Sequence, residues 1–300
     1  MATSPRPTAA RPTGRSTARL LVIEAAIVLL LPAIFGVALG WYAVNPRQAE
    51  NLSPTGSEAH DLLNGFPDSS LTVEIDYQAS AGPPPSASVS VLEQRINSTC
   101  SKSSVIVEEI PFSSSSTSFH EGDLVALEDR VRHSWPTPGT AVLGYLFLDG
   151  SDADHPSTIG LAYRGASIAV FEGTIRSDAP LSAATAVTTT VLVHEFGHEL
   201  GLVGIVGSAP NEDPQHPYHS SDPNDVMYWA VDSTAVFSGL FGGGPPNQFD
   251  AADLSDLANV RSTPIVLEVI PWAVLAVCVI AGVVLLASAR RRRTRRLRGE

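Results

Sequence analysis

Charge is scarce in this chain: charged residues make up 17% of its 300 positions, against about 25% in an ordinary soluble domain. Apolar residues reach 44% and the mean hydropathy is +0.11, which points to membrane and away from a soluble cytosolic enzyme. Cysteine is nearly missing. Cys100 and Cys278 stand alone, which excludes a disulfide framework. Basic residues are missing from the middle, where positions 45–265 hold eight Lys or Arg against 28 Asp or Glu, a net charge of −20. Such an acidic stretch excludes nucleic acid as its partner. The arginines gather at the ends instead. Arg6, Arg11, Arg15 and Arg19 give the first tail +4, and seven arginines with Glu300 give residues 290–300 a net +6.

Long apolar runs are present, and there are two. Residues 20–44 form 25 positions with a single charge, Glu24, and about 20 apolar residues span a bilayer. The run exceeds a secretory signal core, so an uncleaved signal anchor is expected rather than a cleaved leader. Trp41 and Tyr42 fall where an interfacial aromatic belt would lie. Residues 266–289 carry only Glu268 and end in an arginine cluster, a stop-transfer pattern. Positive residues stay inside. The expected topology is therefore a two-pass plasma-membrane protein, with cytoplasmic tails at 1–19 and 290–300, spans at 20–44 and 266–289, and an extracytoplasmic part between them. Cys278 would sit in lipid and Cys100 outside, so the two could not pair.

The middle divides into a Pro, Ser, Asn and Gly-rich linker at 45–70 and a single domain at 71–265. Strands are expected at 71–77, 105–110 and 141–148, the last almost wholly apolar and so buried on both faces. Two short strands, 159–163 and 167–171, meet through Arg164-Gly165. Helices are expected at 86–99, 121–133, 182–203 and 250–260, the last with Asp250 as N-cap and Leu254 and Leu257 as its apolar pair. Residues 204–248 read as irregular. Strands alternating with helices indicate an α/β (α+β) domain with a mixed sheet and helices packed on it.

The chemistry gathers at His194-Glu195-Phe196-Gly197-His198. A helix puts His194 and His198 on one face, about 5–6 Å apart at Cβ, so both imidazoles can reach one ion. Glu195 lies roughly 100° around the helix, placed to hold a water without ligating the metal. A catalytic zinc needs three protein ligands and an open position. His216 and His219 are the downstream candidates for the third. His60, His120, His133 and His155 are scattered and receive no metal role.

The segment resembles the metzincin zinc metalloproteases, whose signature is HExxHxxGxxH followed by a Met-turn. His194, Glu195, His198 and Gly201 match, but Gly204 stands where the third histidine belongs. Residues 219–227 look like the archaemetzincin continuation HCxxxxCVM, with Ser220 and Asp225 in place of its cysteines. The resemblance implies a metzincin-like zincin domain with an insertion of 15 residues before the third ligand. It implies His219 rather than His216 as that ligand, Met227 as the Met-turn, and absence of the second metal site that such cysteines form.

The expected activity is that of a membrane-anchored zinc metalloendopeptidase. One catalytic Zn2+ held by His194, His198 and His219 would activate a water, with Glu195 as general base. The resemblance to metzincins implies a peptide or protein substrate lying extended along an edge strand, for which Gly160, Leu161, Ala162 and Tyr163 are the candidates. Tyr228 and Trp229 would wall the pocket beyond the scissile bond. Three alternatives differ in class. A gluzincin-type protease would need Glu212 as third ligand, and an intramembrane protease would need further spanning helices. A zinc-stabilised ectodomain that only binds a partner would have no use for Glu195.

Overall fold

The computed structural model describes residues 53–180, 182–207, 209–236 and 245–262. Both apolar runs, 20–44 and 266–289, and both arginine-rich tails lie outside the described residues. Among the described residues no helix is long and apolar enough to cross a membrane.

The described residues form fifteen elements, in chain order α1 (Ala59–Leu63), β1 (Ser70–Gln78), α2 (Ser86–Thr99), β2 (Ser104–Phe112), β3 (Ser118–Phe119), α3 (Glu121–Val131), β4 (Thr140–Leu148), β5 (Ser151–Asp152), β6 (Gly160–Arg164), β7 (Ser167–Phe171), α4 (Glu172–Asp178), α5 (Ala184–Glu199), β8 (Glu212–Asp213), β9 (His216–Ser220) and α6 (Ala251–Ser262). Five strands form the main sheet in the order β2-β1-β4-β7-β6. β1 pairs parallel with β2 and β4, and β4 pairs parallel with β7. β6 alone runs antiparallel, at the edge. The sheet is mixed and mostly parallel, as the alternation of strands and helices predicts.

Strand periodicity sorts the side chains between two layers. On β4, Leu143, Tyr145 and Phe147 face the main core, while Leu146 and Leu148 face a second cluster with Leu124 and Leu127 of α3. Buried on both faces, β4 needs no polar alternation, and it has none. The main core also holds Leu92 and Ile96 of α2, and Val191, Leu192 and Phe196 of α5, all fully buried. Each such side chain contributes about 1.5–3 kcal/mol relative to an exposed one.

The second face carries charge among its apolar residues. Glu128 of α3 accepts from Arg132 Nη1 at 2.7 Å and Arg164 Nη2 at 2.8 Å, and Ser167 Oγ donates to it at 2.8 Å. A β-carbon at Gly144 would sit 2.8 Å from Glu128 Oε1, so β4 gives way there to admit the ion cluster.

The structure departs from sequence expectation at four places. The 45–70 segment, read as linker, contains α1, whose Ala59, Leu62 and Leu63 are buried in the core. A short helix, α4, precedes the long one, which covers Ala184–Glu199 rather than 182–203. The 204–248 segment contains a small hairpin, β8–β9. On α6, Leu257 is buried but Leu254 is 52% exposed, so these two do not form an apolar pair. Asp250 does cap the helix, accepting from Ala252 N at 2.6 Å and Asp253 N at 3.0 Å.

Candidate metal centre

Helix α5 is buried from Val187 to Glu199, as befits a helix that is apolar nearly all round. Two of its threonines bond back one turn, Thr188 Oγ1 to Ala184 O at 3.1 Å and Thr189 Oγ1 to Thr185 O at 2.7 Å, and Thr190 Oγ1 donates to Pro246 O at 2.7 Å. Tyr145 Oη donates to Leu192 O at 3.0 Å and fastens the helix to β4. Gly201, at φ +80°, stops the helix. Gly201 N bonds His198 O at 2.9 Å and Leu202 N bonds Gly197 O at 3.1 Å, the paired bonds of a Schellman end. The chain leaves the helix one turn after His198.

It returns through the β8–β9 hairpin, which brings His219 back to the helix. One ring nitrogen from each of His194, His198 and His219 lies within 4.8 Å of the others. His194 Nε2 and His198 Nε2 are 3.0 Å apart, near the roughly 3.3 Å separating two nitrogens on a tetrahedral ion at about 2.0–2.1 Å. The His219 ring is stacked against His194 at 5.3 Å and stands edge-on to His198 at 4.9 Å. His216 does not join them. It stacks on Trp229 at 4.2 Å and bonds Asp213 at 2.9 Å. Glu212 is also absent from the cluster, its Oε1 accepting from Tyr218 N at 3.0 Å.

Backbone carbonyls orient two of the three rings. His194 Nδ1 donates to Val226 O at 2.7 Å and His219 Nδ1 to Pro217 O at 3.0 Å. Each bond places the proton on Nδ1 and leaves the Nε2 lone pair for a ligand. Val226 and the fully buried Met227 occupy a turn below the helix, where Met227 N bonds Asp225 Oδ1 at 2.9 Å. Ser220 N bonds Met227 O at 2.7 Å, tying this turn to the end of the strand that carries His219.

Burial governs the electrostatics. It pushes His194 down to about 4, with the charge of His219 adding to the effect. Burial likewise holds His198 well below the usual imidazole range, helped by His194 and His219. Both rings are therefore neutral at physiological pH, the form that ligates metal. Burial, then the charge of Asp232, holds Glu195 well above the usual carboxylate range, partly offset by a hydrogen bond from the Ala162 backbone. Glu195 Oε1 and His219 Nε2 are buried without hydrogen-bond partners.

A cleft of about 490 Å³ opens over this cluster, walled by Gly160, Leu161, Ala162, Glu195, His198 and His219 together with Pro54, Thr55, Ile205, Tyr218 and Asp232. A β-carbon at Gly160 would sit 2.3 Å from Glu195 Oε1, so only glycine lets the edge strand come so near the helix. Three sequence assignments to the cleft need correction. Tyr163 alternates to the other face of the sheet, where it is buried with its hydroxyl on Glu128. Tyr228 and Trp229 do not line the cleft; the latter is stacked on His216. Tyr218 and Asp232 line the cleft. Tyr218, at φ +66°, is turned out of the strand's alternation; Asp232 Oδ2 lies 3.4 Å from His219 Nε2. Neither had a signal in the sequence beyond proximity to His219 and Met227.

Three imidazoles with converging ring nitrogens, His219 Nε2 buried without a hydrogen-bond partner, make a donor set that suits zinc and other imidazole-loving transition ions. The acidic turn Asp149, Asp152 and Asp154 makes no comparable site. Asp152 Oδ1 accepts from Asp154 N and His155 N at 2.7 Å each, Asp154 pairs with His120 at 2.9 Å, and Asp149 pairs with Arg176.

No protein-family model matches the chain, and no curated protein sequence matches it. Solved structures similar to it include archaemetzincin from Methanopyrus kandleri, with 18% identity, 64% of this chain and 96% of that chain covered, and a TM-score of 0.45. Archaemetzincin from Archaeoglobus fulgidus, complexed with malonate, is 15% identical, with 63% and 99% covered and a TM-score of 0.37. Metalloproteinase-II from Bacteroides fragilis is 13% identical, with 70% and 57% covered and a TM-score of 0.34.

Proposed function

We propose that the domain is a zinc-dependent metallopeptidase that cleaves peptide bonds with Glu195 as general base. The observation that carries this reading is the convergence of His194, His198 and His219 on one point within 4.8 Å, in the same cleft as Glu195. Zinc held there would supply Lewis-acid polarisation of the scissile carbonyl and acidify a water. Glu195 would take the proton of the attacking water and pass it to the leaving amine. Burial pushes its carboxyl well above the usual carboxylate range; a cation among the histidines would oppose that push and favour the carboxylate a base requires.

Substrate would add to the outer edge of β6 as an extended strand. Gly160, Leu161 and Ala162 would then provide the backbone, and Tyr218 and Asp232, which line the same cleft, would contact the side chains flanking the scissile bond. We place the domain outside the cytoplasm between spans at 20–44 and 266–289, on the strength of the arginine-rich tails. Metal analysis of the purified chain, with a chelator-sensitive peptide-cleavage assay, tests the enzymatic reading. Stoichiometric zinc without any cleavage of a diverse peptide library would replace it by a zinc-stabilised binding domain.

A further inference from the structure

A second group of ligating atoms lies on the turn beneath the histidines. Carboxylate oxygens of Asp225, Asp250 and Asp253 come within 4.8 Å of one another. In each residue one oxygen is held by backbone N–H groups. Asp225 Oδ1 accepts from Met227 N at 2.9 Å, Asp253 Oδ2 from Asp250 N at 3.1 Å, and Asp250 Oδ1 caps α6. These bonds fix the carboxylates and leave the second oxygens over. Asp225 is 1% exposed and Asp253 0%, yet Asp225 Oδ2 and Asp253 Oδ1 receive no hydrogen bond from any N–H or hydroxyl group. Among the described residues no lysine, arginine or histidine forms an ion pair with any of the three.

Buried carboxylates without a counter-charge are costly. In the absence of a cation, burial and the charge of Asp225 push Asp253 up to about 9, so a proton neutralises one of the acids. That proton lies in a side-chain hydrogen bond between Asp253 and Asp225, the place a cation would take. We propose that Asp225, Asp250 and Asp253 form a binding site for a hard divalent cation, calcium above all, distinct from the histidine centre. The donors are all oxygen, with neither nitrogen nor sulfur, which favours calcium or magnesium over zinc. No thiolate site is restored, in keeping with the loss of cysteine at positions 220 and 225.

Calcium needs more oxygens than three carboxylates offer, about six to eight in a tolerant geometry. A polar cleft of about 500 Å³ bordered by Asp250, Asn224 and Gln248 adjoins the cluster. It gives a route for the ion and room for amide and water ligands, where magnesium would demand a stricter octahedron. The ion would brace the active centre from below. Asp225 holds Met227 N, and the neighbouring Val226 carbonyl holds the His194 ring.

The test uses the full chain, stripped with chelator and then titrated calorimetrically and by thermal melting with calcium, magnesium or zinc alone. One calcium per chain is expected, with Tm raised by about 5 °C at a hundred times Kd and a smaller magnesium effect. Asp253→Asn and the partly exposed Asp250→Asn should each lose the calcium shift while keeping zinc uptake, and His194→Ala should do the reverse. A magnesium shift larger than that of calcium would overturn the choice of ion. No saturable calcium binding up to about 10 mM, well beyond the weakest extracellular sites, would overturn the proposal. So would a calcium shift undiminished in both Asn variants. If the acids merely share a proton, Asp253→Asn melts at or above the parent temperature and calcium moves neither protein, which also overturns it.

Discussion

A β-carbon on Gly197 would lie 2.3 Å from Met227 Sδ. Glycine in the interior of a helix costs about 1 kcal/mol relative to alanine, so its presence between two histidines of α5 has to be explained by packing. The sulfur of Met227 fills the space a side chain would take. Gly197→Ala, normally stabilising in a helix, should therefore destabilise by about 1–3 kcal/mol. In a double-mutant cycle with Met227→Ala the two costs should fall short of additivity by about 1 kcal/mol. Strict additivity in denaturant melts would show that the two residues do not compete for the space.

Glu195→Gln should retain zinc and lose turnover, because an amide can hold a water but cannot accept its proton. The loss should be on the order of 10²–10⁴-fold in kcat, with metal content unchanged by mass spectrometry. Parent-like turnover by the Gln form would remove Glu195 as the base.

His219 and His216 are three residues apart and should behave oppositely. His219→Ala should lose stoichiometric zinc, since it removes one of the three converging nitrogens. His216→Ala should keep zinc and lose its stacking on Trp229, worth about 0.5–1.5 kcal/mol, together with its bond to Asp213. Zinc lost from the His216 variant and kept by the His219 variant would reverse the ligand assignment.

Stability should fall as pH rises from about 4 to about 8, through Asp76. Burial, then the charge of Glu74, raises its carboxyl from 3.8 to about 8. Glu74 is desolvated too, but bonds from His133 N and Ser134 N, 2.6 Å each, prevail and keep it lowered. Folded Asp76 thus keeps a proton that the unfolded chain has lost in that window, so the folded state weakens with each step upward and levels off above about 8. Asp76→Asn should flatten that part of the Tm profile between pH 5 and 8. Parallel profiles for the two proteins would rule Asp76 out as the source.

Much of this was legible before any coordinates. The strands β1, β4 and β7 announce themselves through β-branched and aromatic residues, and His194, Glu195 and His198 through a spacing that only a helix makes useful. Placing His219 required the register to Met227, because nothing local in the hairpin distinguishes it from His216. The helix α1 was hidden since five residues give too short a period to read, and Pro, Ser and Gly around it imitate a linker. Asp225 and Asp253 are 28 residues apart, and no pattern in the chain says that they meet. Tyr163 was misplaced for a simpler reason: one step along a strand turns a side chain to the opposite face.

The way the chain enters the domain affects the cleft. Gly165 N donates to Ser53 O at 2.9 Å, and Thr55 Oγ1 donates to Ala162 O at 3.1 Å. The carbonyl that an added substrate strand would use at Ala162 is therefore already engaged by the protein itself. A tethered competitor of this kind acts at an effective concentration on the order of millimolar, and the apparent affinity for a peptide is divided by the fraction of time the rim stands free. Thr55→Val removes the competing hydroxyl, so KM for peptide should drop while kcat stays where it was; an unchanged KM would mean that the rim is never contested. Substrate selection would then be partly a matter of leverage, since whatever draws Ser53–Thr55 away from β6 also widens the range of peptides that can settle there.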